Sequence, residues 1–289
     1  MGTLPPPPTD AVWRLLARDR LALASATTIA ALALLALLAP ALAPHDPLLT
    51  QLGPIHGSPC ATFPLGTDAV GRDCLSRLLW GARVSLPLGL LAVAIAAGLG
   101  TVLGAVAGFI GGRVDDAISW LTDLFLALPR LVLLLAVMSI ATHYEGSRFT
   151  LVAIVLGATG WMPVARLVRT QVKSLRERPW VLAARGLGLS PRRVLLRHVL
   201  PFALPPAMVH ASLLVGGTIL VEAALSFLGM GIPQPTPSWG NMISEGMASP
   251  ESWWLTLFPG LAITVTVAAF NLLGDGLRDA MDPNLEAPR

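Results

Sequence analysis

Apolar residues along this chain come in six long runs separated by polar stretches. The runs are Leu21 to Ala43, Val84 to Ile110, Ala117 to Thr142, Phe149 to about Arg166, Val199 to about Gly231, and Trp253 to Gly274. Each is near or above the roughly 17 to 25 residues that cross hydrocarbon as a helix, so the pattern predicts an all-α membrane protein with six transmembrane helices. The first run carries no charge. It exceeds the roughly 7 to 15 residues of a signal-peptide core and lacks a clear cleavage signature, so it is expected to stay as an anchor.

The cations between the runs set an orientation. With the N-terminus inside, fifteen Lys and Arg fall in inner segments and four (Arg72, Arg77, Arg83, Arg148) in outer ones, which predicts both termini inside. The expected layout is an inner tail over residues 1–20, a first helix over 21–43, and an outer loop over 44–83. A transmembrane core then runs over 84–276, with an inner basic loop at 167–198 and an outer loop at 232–252, before an inner tail at 277–289. Pro5 to Pro8 should be extended, and Asp10 to Arg20 reads as an amphipathic lead-in at the inner interface. A hydrophobic share of 54% against 13% charged residues is too apolar for an ordinary soluble domain. The net charge of +3 sits mainly in loops between apolar runs, so it reads as a topology signal rather than a nucleic-acid surface.

One polar stretch stands apart. From Arg166 to Pro201 there are nine cations against a single acid, Glu177. Pro179 suits the first position of a helix that continues through Trp180, Val181 and Leu182 and ends at Gly188, a residue fitted to a left-handed C-terminal cap. Ser190 and Pro191 form an N-cap and N1 pair, so a second helix should run from Pro191 towards His198 before Pro201 opens the next apolar run. Ala183 and Ala184 on the first helix would let another protein's surface approach closely. Without a partner, the same charges read as a solvated loop.

Within the spans, Gly100, Gly104 and Gly108 recur every four residues and should give one helix face a close neighbour. Arg130, after Pro129, should lie near mid-membrane at a kink. An ionised group there is costly unless it faces protein or water, which leaves it either on a translocation path or paired with an acid elsewhere. Glu222, near the outer end of the fifth run, is either an outer gate or a helix-packing contact. His210 reads as a satisfied packing residue. Cys60 and Cys74 share one outer loop and are expected either to pair or to remain two thiols.

The spacing Ala183-Ala184, Gly188, Leu200-Pro201 resembles the EAA loop of bacterial ABC importer permease subunits. Leu182 stands where Glu is usual and His198 where the general pattern has Ile. The stretches Pro64-Leu65-Gly66-Thr67-Asp68, Gly71-Arg72-Asp73, Leu75-Ser76-Arg77 and Gly81-Ala82-Arg83 resemble the C-type permease of the peptide and nickel importer family. Glu222 to Gly229, Pro235 to Gly240 and Phe270 to Asp279 extend that resemblance over about Pro64 to Pro283. It implies a coupling helix carrying Trp180, Leu182, Ala183, Ala184, Gly188, Ser190, Arg192 and Arg193 that sits in an ATPase cleft. It further implies a second permease subunit, two cytoplasmic ATPases, an extracytoplasmic solute-binding protein and a bacterial cell-membrane location. The implied cargo is short peptides, with nickel chelates, opines or glutathione as alternatives.

No Gly-x-x-x-x-Gly-Lys-Ser/Thr phosphate loop occurs, so ATP and Mg²⁺ belong on partner ATPases and no cofactor or metal is expected on this chain. A membrane hydrolase would need a catalytic cluster such as His-Glu-x-x-His or Gly-x-Ser-x-Gly, and neither is present. An ion-coupled secondary transporter should show repeated halves, and no repeat is visible.

Overall fold

The computed structural model describes residues 19–141 and 146–281. The expected Pro5–Pro8 extended run, most of the lead-in to Arg20 and the end of the C-terminal tail lie outside these residues. The helices are α1 (Arg20–Leu37), α2 (Cys74–Ile110), α3 (Gly112–Ala127), α4 (Arg130–Ile140), α5 (Arg148–Ala158), α6 (Met162–Arg176), α7 (Pro179–Gly186), α8 (Pro191–Phe227), α9 (Trp239–Ala248) and α10 (Trp254–Met281). Four of them, α1, α2, α8 and α10, are continuous and long and apolar enough to cross a membrane. Six spans result if each of the bent pairs α3/α4 and α5/α6 counts as one.

The axis of the bundle is α2. At about 1.5 Å per residue its 37 residues reach about 55 Å, well beyond the roughly 30 Å of hydrocarbon. Its start lies ahead of the apolar run because Asp73 caps it, accepting from the Leu75 and Ser76 amides at 3.3 and 3.1 Å and from the Ser76 hydroxyl at 2.6 Å. The glycine face packs as its spacing predicts. A Cβ on Gly104 would lie 2.4 Å from the Ala165 carbonyl, and one on Gly108 would lie 2.6 Å from that of Arg169. Only bare backbone lets α2 and α6 approach so closely, and in a lipid solvent such contact supplies the packing that water would otherwise drive.

Two expected single spans are broken. Pro129 does more than kink its span: α3 and α4 meet at 92°. Leu128, forced extended by the following proline, has φ −86° and ψ 135° and ends α3. The next span bends by 43° between α5 and α6, at Thr159, Gly160 and Trp161. Conversely, Pro201 breaks nothing. Leu195–Val199 widens into a π-turn, with the Leu200 amide bonded back to the Leu195 carbonyl, and the chain continues helically from Pro191 to Phe227. The outer loop expected at 232–252 contains α9, whose N-cap Ser238 accepts from the Asn241 amide at 3.2 Å.

The three largest apolar clusters among the described residues fill most of the bundle. One joins α1, α2, α8 and α10 around Leu86, Ile219 and Trp239. A second holds α4 and α5 against α2 through Leu88, Leu134, Met138 and Leu156. The third, Val164, Val168, Val172, Val181, Val194 and Val199, lies under the basic loop.

Candidate functional site

The basic loop is built as a mounted helix. α7 ends in a Schellman motif: the Gly188 amide donates to the Arg185 carbonyl at 2.9 Å and the Leu189 amide to that of Ala184 at 3.3 Å, with Gly188 at φ 80°. Ser190 occupies the following N-cap position, but its hydroxyl makes no cap bond. The seat of α7 is apolar. Val181 and Ala184 are buried against Val194, Val199 and Ala203, Trp180 stacks on Phe202 with ring centroids 5.1 Å apart, and Arg185 lies 4.8 Å over the Phe109 ring. Arg176 ties the end of α6 to that of α2 by donating to the Gly108 carbonyl at 3.1 Å.

The two alanines therefore part company. Ala183 is exposed, whereas Ala184, at 6% exposure, faces the chain's own core. They are successive residues about 100° apart on a helix, so one faces outward and the other helps to seat the loop. The outward face is completed by Trp180, Leu182 and Leu187, the last 83% exposed, with Arg192 and Arg193 exposed beside it. The sequence reading passed over Leu187; a large apolar residue directly before a capping glycine was its only signal.

At the opposite end, the segment 44–73 folds into a cap that a buried ion cluster fastens to the bundle. Arg77, fully buried on α2, donates to Asp68 of the cap and, from Nη1 and Nη2, to both oxygens of Glu245 on α9 at 2.7 and 2.8 Å. Arg72 reaches Asp68 at 2.5 Å and Glu245 at 3.3 Å, and Gln234 donates to Glu245 at 2.9 Å. Burial opposes the charge on Asp68, but the Arg72 and Val70 amides and the Arg77 and Arg72 guanidiniums outweigh it and hold the carboxyl below its usual range. Trp254 donates to the Thr67 carbonyl at 3.1 Å, and His56 bonds Ser252 and Ser249 at 2.8 and 3.3 Å. Sequence reading found Thr67, Asp68, Arg72 and Arg77 as motif members; the pairing across 168 positions between Arg77 and Glu245 was invisible to it.

The pathway candidates separate too. Glu222 is fully buried inside the subunit. The Ser226 hydroxyl donates to it at 2.8 Å and that of Ser85 at 3.4 Å, and these oxygens in turn accept the Ile232 and Trp239 amides at 3.3 Å each. The packing reading fits this placement, because the carboxyl fixes both ends of the connection from α8 to α9. Arg130 is half-buried and donates to the Leu156 carbonyl at 3.4 Å; among the described residues no acid pairs with it. His210 differs from expectation, its Nε2 being buried without a partner. Cys60 and Cys74 remain free thiols: Cys74 begins α2 and is packed among Met242, Trp254 and Leu255, whereas Cys60 is exposed. The helix that orients Cys74 inward separates the pair.

Known proteins share this plan. Residues 100–287 match the family model described as the binding-protein-dependent transport system inner membrane component, and residues 8–56 match the N-terminal TM domain of oligopeptide transport permease C. The dipeptide transport system permease protein DppC of Bacillus subtilis is 36% identical over 96% of this chain and 86% of its own length. The di/tripeptide transport system permease protein DppC of Pseudomonas aeruginosa is 40% identical over 97% of this chain and 94% of its own. A chain of the MetNI methionine ABC transporter, solved in inward-facing conformations, superposes with a TM-score of 0.55 at 18% identity, covering 71% of this chain and 97% of that one. By the family model over residues 100–287 and these relatives, the chain belongs to the binding-protein-dependent transport inner membrane component family, as a permease subunit of an ABC importer.

Proposed function

We propose that this permease passes short peptides across the bacterial cell membrane, working with a second permease subunit, two cytoplasmic ATPases that bind ATP and Mg²⁺, and an extracytoplasmic solute-binding protein. The basic end faces the cytoplasm, with both termini inside, and the cap faces out. The observation that carries the coupling reading is α7: a short helix seated on valines and closed by Gly188, which turns Leu182, Ala183 and Leu187 away from the chain it belongs to, with Trp180 at the edge of that face. An apolar face ringed by cations at the end of a membrane bundle is costly to leave in water and suits a protein cleft. The relatives named for dipeptides and di/tripeptides support the cargo.

The test is reconstitution of this chain with its partners in proteoliposomes, followed by uptake of a labelled dipeptide with binding protein outside and ATP inside. ATP-dependent uptake that requires the binding protein is expected. Uptake by this chain alone, driven by an ion gradient without ATP, would overturn the proposal.

A further inference from the structure

Both broken spans converge on one side chain. Arg130 opens α4 immediately after the 92° bend, and its guanidinium reaches across to the bend between α5 and α6. There Nη2 donates to the Leu156 carbonyl at 3.4 Å, and a Cβ on Gly160 would lie 3.1 Å from the same nitrogen. The corner rests on Ala96 of α2, which a Cβ on Gly160 would approach to 3.3 Å.

This guanidinium is under-used. It carries five N–H donors, yet among the described residues it makes one long bond to a neutral carbonyl, and its Nε is buried with no partner there. Among the described residues, the ion pairs of this chain involve Arg72, Arg77, Arg166, Arg169, Lys173 and Arg176 but not Arg130. Pro129 gives α4 no side-chain cap, so the positive end of that helix adds to the same field. Leu128, Leu131 and Val132 around it are exposed. Broken backbone at membrane depth is tolerated where it lines a cavity or is covered by protein, and half-helix N-termini at such breaks suit anionic groups. Elsewhere between α3 and α6, a cavity of about 380 Å³ is walled by Ser119, Thr122, Asp123, Arg166, Arg169 and Thr170.

We propose that Arg130 is the carboxylate-binding group of the translocation path, receiving the C-terminal carboxylate of a short peptide on its way across; this rests on the peptide-permease reading above. The α-carboxylate is the anion that every short peptide carries whatever its side chains, so one guanidinium serves a mixed cargo. Charge-assisted N–H···O bonds supply the partner that the resting chain lacks. The Leu156 carbonyl, held at only 3.4 Å, releases Nη2 at little cost.

The test separates this from recognition by the binding protein. Maximal ATP-dependent uptake into proteoliposomes is compared for a dipeptide and its C-terminal amide, each at a concentration that saturates the binding protein. The parent complex should move the free acid at least about tenfold faster than the amide. In Arg130→Gln the two rates should converge, and Arg130→Lys should keep part of the preference. Equal maximal rates for acid and amide in the parent would overturn the proposal without recourse to any variant. So would an Arg130→Gln complex in which both rates fall by the same factor, the result expected if Arg130 pairs with an acid of the neighbouring subunit. A parent complex that moves neither peptide with ATP would instead refute the peptide reading itself, and this inference with it.

Discussion

Two adjacent alanines should respond oppositely to the same insertion. Ala184→Trp places an indole where Val181, Val194 and Val199 are wholly buried and Ala203 is 1% exposed. Overpacking by even a few methylenes costs about 1 to 3 kcal/mol, so the loop must unseat from α8, and the purified complex should melt earlier. Ala183→Trp points away from that core. As a surface change it should shift the chain's own stability by no more than about 0.5 kcal/mol. It nevertheless fills the face that α7 presents, where losing about 2 kcal/mol of docking energy, the threshold for a central interface position, corresponds to about thirtyfold in ATPase affinity. The measurement pairs thermal unfolding of each purified complex with recovery of the ATPase and hydrolysis stimulated by loaded binding protein. Ala183→Trp should lose the ATPase without melting early. Parent-level ATPase recovery and stimulation in that variant would refute the docking face.

The remaining expectations concern the helix seam and the cap. Gly104→Leu should prevent assembly, because its Cβ meets Ala165 backbone at 2.4 Å, while Gly98→Leu, which has nothing within 4 Å, should elute and melt like the parent in size exclusion and thermal scans. Glu245→Ala removes two of the hydrogen bonds of a fully buried guanidinium and should destabilise the cap end by about 3 to 5 kcal/mol, read as earlier melting or faster proteolysis of residues 44–73. Asp68 has a folded pKa below its ordinary 3.8, so its stabilisation is complete above that value and is lost as pH falls through the depressed one. Unfolding scans should therefore show cap stability flat from neutral pH down to about 4 and falling below it, with Asp68→Asn removing that acid limb.

Hydropathy made the number and order of apolar segments legible because burial in lipid is written residue by residue. Local stereochemistry was equally readable: Gly188 took its left-handed cap, and Gly100, Gly104 and Gly108 met α6. What escaped depends on partners distant in sequence. The span from Ala117 read as one kinked helix because Pro129 marks a break but not its angle. The start of α2 was hidden by Arg77 and Arg83, whose polarity mimics a loop until Glu245 and Asp68 are seen to satisfy Arg77. The opposite facing of Ala183 and Ala184 needed the positions of Val194 and Val199, which the π-turn sets. Pairing of Cys60 with Cys74 rested on a shared loop; the structure puts Cys74 at the start of a helix.

The length of α2 has a mechanical corollary. The ion cluster grips it at Arg77, and Arg176 grips it at Gly108, about 46 Å further along at 1.5 Å per residue. One helical rod thus carries the fastening of the cap at one end and the mounting of the docking loop at the other. If it moves as a rigid body, a tilt of about 5° at either grip displaces the other by about 4 Å, roughly three quarters of the 5.4 Å pitch of a helix. Cap and docking loop then behave as the two arms of a single lever, and a substitution that softens α2 anywhere between them should cost coordination between the two faces before it costs the integrity of either.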